Sequence, residues 1–142
     1  MRLVLDTNVI VAALRSPNGA AAEVVRRVLR LDFEAAVTTA LLLEYEAVAT
    51  RPEHLMASGL TASEVMVVID ALAAVMEPVP IRWRLRPASP DPDDDFVLEA
   101  AWNAGATILV TENQRDLGAA SATFGVRTLP PSMLLKELRD LK

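Results

Sequence analysis

The sequence predicts an α/β protein, a three-layer α/β/α sandwich around a central parallel sheet of about four to five strands. Short apolar segments alternate with longer segments of helical periodicity, which is typical of consecutive βαβ units. Hydrophobic residues make up 52% of the chain and aromatic residues only 4%, so Ala, Val and Leu must form the core, as in sheets buried on both faces. The 142 residues contain neither repeats nor a linker, which predicts a single domain over residues 1–142.

The strands are predicted from short apolar runs bounded by charges or turn formers. Residues 2–5, "RLVL", are too continuously apolar for a strand with a solvent face, so a buried strand is expected there. The other predicted strands share this brevity and lie at residues 33–39, 78–81, 106–111 and 125–130.

The helices are predicted from their apolar spacing and their terminal signals. They are expected at residues 8–14, 20–31, 38–51, 61–77, 94–105 and 130–142. Pro52 is expected to end the third of them. Thr38 or Thr39 is expected to cap the helix at 38–51. Thr61 and Glu64 have the spacing of a capping box, and Gly105 is a candidate C-cap. Residues 82–95 contain three of the nine prolines and are predicted to be irregular.

The first predicted strand ends on an ionisable residue, Asp6. In parallel α/β sheets ligands bind beyond the carboxyl ends of the strands, so other polar residues at strand ends are of interest. The candidates are Thr111, Asn113 and Asp116 after the strand at 106–111, Glu44 in an apolar helical stripe, and Asp94 and Asp95 at a helix start.

Each of these acids also has a purely structural explanation. Asp6 is a good N-cap, Asp93 to Asp95 suit a helix dipole, Glu44 is able to face solvent or pair with an arginine, and Asp116 is able to cap a turn. The convergence of four acids at one sheet edge favours the functional interpretation. The first turn of the helix at 94–105 reaches that edge only if the preceding loop returns there.

Clustered carboxylates favour a hard divalent cation, because their repulsion raises their pKa values unless a cation neutralises them. The chain has no Cys and a single His, His54, so Mg²⁺ or Mn²⁺ is expected rather than Zn²⁺. His54 follows Pro52 and is expected to be an exposed loop residue. A water activated beside such an ion attacks phosphodiesters, so metal-assisted phosphodiester hydrolysis is the predicted chemistry.

Four segments of the chain resemble the acidic blocks of the PIN-domain family, in particular the VapC-like toxin ribonucleases of bacterial toxin–antitoxin pairs. These segments are "LDTNVIV", the helix that carries Glu44, "DPDDDFVLEAAWNAGA" and "LVTENQRDL". The resemblance covers essentially the whole chain, and the order of the four blocks is its most specific feature. One departure is Leu117, which follows Asp116 where family members often have an aromatic residue.

The resemblance implies that Asp6, Glu44, Asp94 and Asp116 are the catalytic and metal-binding acids. Counting back from Ala101 and Gly105 favours Asp94 over Asp95 as the third acid, with Asp95 kept as a further candidate ligand. Thr111 and Asn113 resemble residues that orient the last acid and a water, and Asn8 is grouped with them as a substrate-orienting residue.

The resemblance also implies an endoribonuclease dependent on Mg²⁺ or Mn²⁺, acting on single-stranded or structured RNA. It implies a homodimer and a cognate antitoxin whose tail blocks the acids. The absence of Cys and of a signal-peptide pattern predicts a cytoplasmic protein. No apolar run is long enough for a membrane span. The net charge of −5 argues against a protein that coats nucleic acid through its overall field, although not against a metal-dependent nuclease.

Two other functions are weighed against this one. A receiver-like signalling domain requires a lysine at a strand end, yet the only lysines, Lys136 and Lys142, lie in the terminal helix. A PIN-like module without catalysis, serving for RNA or protein binding, is the stronger alternative. The basic run "RWRLRP", with Arg82 and Trp83, is either an RNA contact or a charged edge strand.

Overall fold

The computed structural model describes residues 1–83, 92–123 and 125–141, except for the side chains of residues 92–95, 116, 119, 120 and 123. Its centre is a five-stranded parallel sheet in the order β3-β2-β1-β4-β5. Helices cover the sheet in a three-layer α/β/α arrangement, as the alternation of apolar runs and helical segments predicts. The predicted fold class is therefore confirmed.

The elements follow one another along the chain in alternation. They are β1 (Arg2–Leu5), α1 (Thr7–Arg15), α2 (Ala20–Leu29), β2 (Glu34–Val37), α3 (Thr39–Ala49), α4 (Pro52–Ser58), α5 (Ala62–Val75), β3 (Glu77–Pro78), α6 (Pro92–Ala104), β4 (Ile108–Val110), α7 (Gln114–Thr123), β5 (Arg127–Leu129) and α8 (Pro131–Asp140).

Strand β1 occupies the middle of the sheet. Leu3 is in register with Ala35 of β2 on one side and with Ile108 of β4 on the other. Leu3, Val4 and Leu5 have no exposed surface, because both faces of the strand are covered by helices. The amide of Asp6 continues the ladder by donating to the Val110 carbonyl at 2.9 Å. The chain therefore leaves β1 for α1 at the carboxyl edge of the sheet, beside the end of β4.

Helix α6 runs antiparallel to the strands. At its end the Ala106 amide donates to the Ala101 carbonyl, and the next amide, that of Thr107, donates to Arg2 at the amino edge of β1. Gly105 adopts a φ of 61°, the left-handed conformation that ends helices, so its predicted C-cap role is confirmed. Because α6 packs on β1 and β2 and 13 residues span about 20 Å, its first turn lies at the carboxyl edge.

Two helices were not expected from the sequence. Pro52 ends α3 but also begins α4, because a proline at the first helical position loses no hydrogen bond. Helix α7 begins at Gln114, directly after the loop at the end of β4. The predicted strand at 78–81 is wrong in position: β3 consists of Glu77 and Pro78.

The capping signals at α3 and α5 are confirmed. The Thr38 hydroxyl accepts from the Leu41 amide at 3.2 Å, and Thr61 and Glu64 exchange both capping-box hydrogen bonds at 3.1 Å. None of the described helices is by itself long and apolar enough to cross a membrane; α4 and α5 meet that requirement only as a pair bent by 89°.

Candidate active site

Asp6 lies at the carboxyl edge of the sheet, between β1 and α1, and only 8% of its surface is exposed. It occupies the N-cap position of α1, yet its side chain forms no capping hydrogen bond. Its Oδ2 instead accepts a hydrogen bond of 2.7 Å from the Thr111 hydroxyl, which follows β4. The capping explanation of Asp6 is therefore wrong for its side chain, which is held by the neighbouring strand end.

The Thr111 hydroxyl joins two segments at this edge, the start of α1 and the loop after β4. While it donates to Asp6, it accepts from the Asn113 amide at 2.9 Å and from Asn8 Nδ2 at 3.3 Å. Asn8 Oδ1 in turn accepts from the Glu112 amide at 3.1 Å. The network fixes the loop after β4 against the start of α1, and it fixes the orientation of the Asp6 carboxylate.

Glu44 reaches the same site from α3. Its carboxylate accepts a hydrogen bond of 2.5 Å from the hydroxyl of Thr7, the first residue of α1. The next residue, Tyr45, is fully buried and donates its hydroxyl to the Leu5 carbonyl, one residue before Asp6. Two neighbouring residues of α3 are therefore tied to the residues that flank Asp6, which places Glu44 beside it.

A cleft of about 680 Å³ opens next to these residues, between α1, α3 and α4. Polar and charged side chains form both of its ends, and small apolar side chains lie between them. Its lining residues are Asp6, Thr7, Asn8, Val11, Ala12, Arg15, Ser16, Glu44, Val48, Arg51 and His54. Both carboxylates, those of Asp6 and Glu44, therefore border the same cleft.

Burial raises the pKa of Asp6 above its ordinary value. The hydrogen bond from Thr111 and the nearby amides of Thr7 and Asn8 oppose this shift by favouring the ionised form, although neither amide makes a capping hydrogen bond. Burial and the negative charges of Asp6 and Glu44 hold the pKa of Tyr45 far above its ordinary value, so its hydroxyl remains a donor. The site is a partly desolvated anionic environment.

The remaining predicted acids lie in the first turns of two helices. Asp94 and Asp95 belong to the first turn of α6, and Asp116 belongs to the first turn of α7. Both helices begin at the carboxyl edge of the sheet, which is also the edge at which Asp6 lies. Their side chains fall outside the described residues, so the choice between Asp94 and Asp95 stays a prediction.

The residues at this site fit a hard divalent cation. A buried carboxylate with a raised pKa is the group that a bound cation would return to its ionised form. The described part of the chain brings two carboxylates together, those of Asp6 and Glu44, and contains no group of three potential ligands. The remaining oxygen ligands would therefore have to come from Asp94, Asp95 or Asp116 and from water.

Several cleft residues were missed by sequence reasoning. Thr7 was not singled out, although its place between Asp6 and Asn8 was a usable signal. His54 was expected in an exposed loop, but it lies half-buried in α4. Arg15 and Arg51 carried no signal, because their proximity depends on α4, which the sequence did not predict.

The basic run begins at the far end of the molecule from Asp6. Asn103 Oδ1 accepts from the amides of Arg82 and Trp83 at 2.7 and 2.9 Å, and its Nδ2 donates to the Trp83 carbonyl at 2.8 Å. Asn103 lies in the last turn of α6, about 14 Å along the helix from Asp94. Arg82 and Trp83 therefore do not flank the acids; the rest of the run, from residue 84, lies outside the described residues.

The fold and the site define an α/β protein with an acidic cleft at the carboxyl edge of a parallel sheet. The chain belongs to the PIN-domain family, because the model of that family, described as "PIN domain", matches residues 2–115. PIN domains are generally nucleases that use divalent metal ions. No curated protein matches the chain by sequence.

Among solved structures the chain is similar to a chain in the crystal structure of VapBC2 from Rickettsia felis bound to a DNA fragment from their promoter. The TM-score is 0.63, and the match covers 92% of this chain and 98% of that chain. The sequence identity is 13%, so this likeness concerns the fold.

Proposed function

We propose that this protein is an endoribonuclease dependent on Mg²⁺ or Mn²⁺, with residues 1–142 acting as one domain. The observation that carries the proposal is the presence of two carboxylates, those of Asp6 and Glu44, at one end of a cleft, each held by a hydrogen bond from a threonine hydroxyl. Its family membership supports nuclease chemistry, and the absence of Cys from the sequence leaves oxygen ligands as the main donors.

The cation, when bound, supplies an activated water and neutralises charge that develops on the phosphate. The chain's own residues orient the reacting groups. Thr111 holds Oδ2 of Asp6, and the nearby amides of Thr7 and Asn8 favour its ionised form, so the carboxylate is held in one orientation at the edge of the cleft. Thr7 holds Glu44 in the same way from the opposite side of the cleft. Asp94 and Asp116 complete the acidic set in this proposal, with Asn8 and Asn113 as orienting residues.

The test is cleavage of a labelled RNA by the purified chain in Mn²⁺ or Mg²⁺, with EDTA and the Asp6→Asn variant as controls. Cleavage that needs the metal and Asp6 is expected. A single-stranded DNA of the same sequence, run in parallel, distinguishes ribonuclease from general nuclease activity. Equal cleavage in all samples would exclude metal-dependent catalysis at Asp6. Binding of RNA without any cleavage would favour the alternative function, a PIN-like binding module.

We further propose that the protein is the cytoplasmic toxin of a type II toxin–antitoxin pair and forms a homodimer. The support is the likeness of its fold to a chain of a VapBC2 structure. Expression of the chain should arrest growth, and Asp6→Asn and Asp94→Asn should relieve the arrest. Co-expression of the product of a small neighbouring gene should also relieve it and should yield a complex that co-purifies with the chain.

Arrest by the Asp6→Asn variant would contradict a toxic activity at this site. Light scattering on the purified chain tests the dimer independently, because a mass near 15.4 kDa would identify a monomer.

A further inference from the structure

The cleft is built from two helical stripes that face each other. On α1 the stripe runs from Thr7 and Asn8 through Val11 and Ala12 to Arg15, and on α3 and the turn after it from Glu44 through Val48 to Arg51. These spacings are those of one helix face. The Thr7–Glu44 hydrogen bond closes the acidic end. Arg15 lies about 12 Å further along α1 than Thr7, at the opposite end.

The two arginines at that opposite end differ from most other described arginines. Arg2, Arg26, Arg27, Arg30 and Arg127 all form ion pairs with carboxylates. Among the described residues no carboxylate pairs with Arg15 or Arg51, although both side chains line the cleft. Both arginines are exposed, so their guanidinium groups are accessible to an anion that enters the cleft.

His54 adds a third nitrogen group to this end of the cleft. It is half-buried in the first turns of α4, and its Nδ1 is buried without a hydrogen-bond partner in the described part of the chain. A buried nitrogen without a partner is uncommon, and here it belongs to a cleft-lining side chain. Arg15, Arg51 and His54, which we call the basic end of the cleft, therefore combine two exposed guanidinium groups that no described carboxylate pairs with and an imidazole ring beside them.

We propose that the basic end of the cleft binds a backbone phosphate of single-stranded RNA, next to the phosphate that is cut at the acidic end. This inference rests on the proposed ribonuclease function and extends it to how the substrate is held. The acidic end of the cleft would hold a cation, and the basic end carries guanidinium groups. An RNA backbone matches this charge distribution, because it has a phosphate to place at each end. Val11, Ala12 and Val48 provide the apolar walls between the two ends, against which ribose groups pack.

The side chains that line the cleft also determine which parts of an RNA are recognised. None of the described residues that line the cleft is a Phe, Tyr or Trp, so base stacking on an aromatic platform is not the basis of binding there. Phosphate contacts position a nucleic acid without reading its sequence. The basic end is therefore expected to set affinity and register for RNA, and to contribute little to the choice of bases.

The test compares the wild-type chain with a double variant, Arg15→Gln with Arg51→Gln. Arg139→Gln is a matched control, because Arg139 is exposed in α8, has no ion pair among the described residues and lies outside the cleft. Binding of a fluorescent single-stranded RNA is measured in EDTA over a range of salt concentrations. Cleavage kinetics are measured in Mn²⁺. Arg51→Lys tests whether charge alone is sufficient.

The double variant should bind RNA at least about tenfold more weakly, and the slope of log affinity against log salt should fall by about 0.7 per arginine. KM should rise while kcat changes little, because the acids are untouched. The loss should be similar for RNAs of different sequence. Arg139→Gln should match the wild type, and Arg51→Lys should recover part of the affinity.

Unchanged KM and salt slope in the double variant, in an enzyme that still cuts RNA, would overturn the basic end as a phosphate subsite and leave the proposed activity intact. Failure of the wild type to bind RNA in EDTA would also overturn it. Arginine-dependent binding of RNA that is never cut would overturn the ribonuclease proposal instead. Retained RNA affinity with loss of binding to a polyglutamate peptide would show that this end takes an acidic protein segment.

Discussion

At the scale of single residues, the burial of the Asp6 carboxylate is unfavourable in the metal-free protein. This burial raises the pKa of Asp6. The hydrogen bond from Thr111 offsets only part of this cost. Residues with such properties occur at functional sites, because a ligand supplies the compensation that the protein alone does not.

The pH dependence of stability follows from the sign of that shift. Because the pKa of Asp6 is higher in the folded than in the unfolded state, its contribution to stability is fully present below the unfolded value and is lost as the pH rises through the folded value. In EDTA at pH 7 the melting temperature of the Asp6→Asn variant should therefore lie roughly 2–4 °C above that of the wild type. Thermal melts should show the difference closing when the pH falls below about 4.

A melting temperature clearly below that of the wild type at pH 7 would contradict this account of Asp6. Asp70→Asn is a suitable control for charge removal, because Asp70 is exposed in α5, has no ion pair among the described residues and lies outside the cleft. It should leave both RNA cleavage and metal dependence unchanged.

Thr111 should matter for activity as well as for stability. Replacing it by Val keeps the shape but removes the hydroxyl that holds Asp6, Asn8 and the Asn113 amide. Because the site is fully buried, unfolding should become easier by about 1–3 kcal/mol. Loss of such an orienting residue should lower kcat/KM by about 10- to 100-fold. Chemical denaturation and cleavage kinetics measure the two effects.

The matched control is Thr107→Val. Thr107 precedes β4 at the amino edge, and its hydroxyl bonds only to the backbone of Arg2 among the described residues. This variant should lose some stability and keep full activity. Equal losses of activity in both variants would indicate that Thr111 acts through general stability rather than by orienting Asp6.

At the scale of secondary-structure elements, the position of α3 relative to β1 determines where Glu44 lies. The Tyr45 hydroxyl bonds to the Leu5 carbonyl, and its raised pKa keeps that donor protonated. Tyr45→Phe should lower the free energy of unfolding by about 1–2 kcal/mol. Because Glu44 is the adjacent residue, metal-dependent cleavage should fall several-fold as well. Denaturant melts and cleavage assays on the same preparations measure both.

Thr61→Ala is a control whose expected loss of stability is similar to that of Tyr45→Phe. It removes the capping box of α5, a loss of about 1 kcal/mol, and α5 contributes nothing to the lining of the cleft. Unchanged cleavage is expected. If Tyr45→Phe and Thr61→Ala reduced cleavage equally, a specific role for the α3–β1 hydrogen bond would be excluded.

The central strands and the ends of the helices could be predicted from the sequence because their signals are local. Buried strands, the capping box at Thr61 and the C-cap at Gly105 depend on residues within a few positions of one another. Asp6 and Thr111 were identified because the rule for parallel sheets converts strand order into proximity, whereas Glu44 was identified from its place in an apolar helical stripe and from the family resemblance. Helix α4 was missed because Pro52 carries two opposite signals, the end of one helix and the first position of the next.

The basic end of the cleft could not be predicted for a related reason. Arg15, Arg51 and His54 come from three segments, and their meeting depends on how α4 packs against α1. Tertiary packing of this kind leaves no periodic pattern in the sequence. The basic run that starts at Arg82 had the stronger pattern, yet its first residues lie at the other end of α6.

At the scale of the whole molecule, metal binding should stabilise the folded chain. A ligand that binds only the folded state adds about 2.7 kcal/mol at one hundred times its dissociation constant. Mn²⁺ should therefore raise the melting temperature of the wild type by several degrees, and EDTA should reverse the change. Asp6→Asn should respond much less. Equal responses in both proteins would place the bound ion away from Asp6.

The overall charge and the cleft act in opposite directions on a nucleic acid. The chain carries a net charge of −5, so its general field repels RNA, while the basic end of the cleft presents unpaired positive groups locally. Association should consequently depend on entry into the cleft rather than on surface adsorption.

The central place of β1 also governs when activity first becomes available during synthesis. The strand made from the first residues obtains one neighbour from residues 34–37 but the other only from residues 108–110, and Asp6 meets Thr111 at the same late point. Contacts so distant along the chain form slowly. A polypeptide still emerging from the ribosome therefore carries Asp6 long before the site around it can form, because residues 108–111 must be made first.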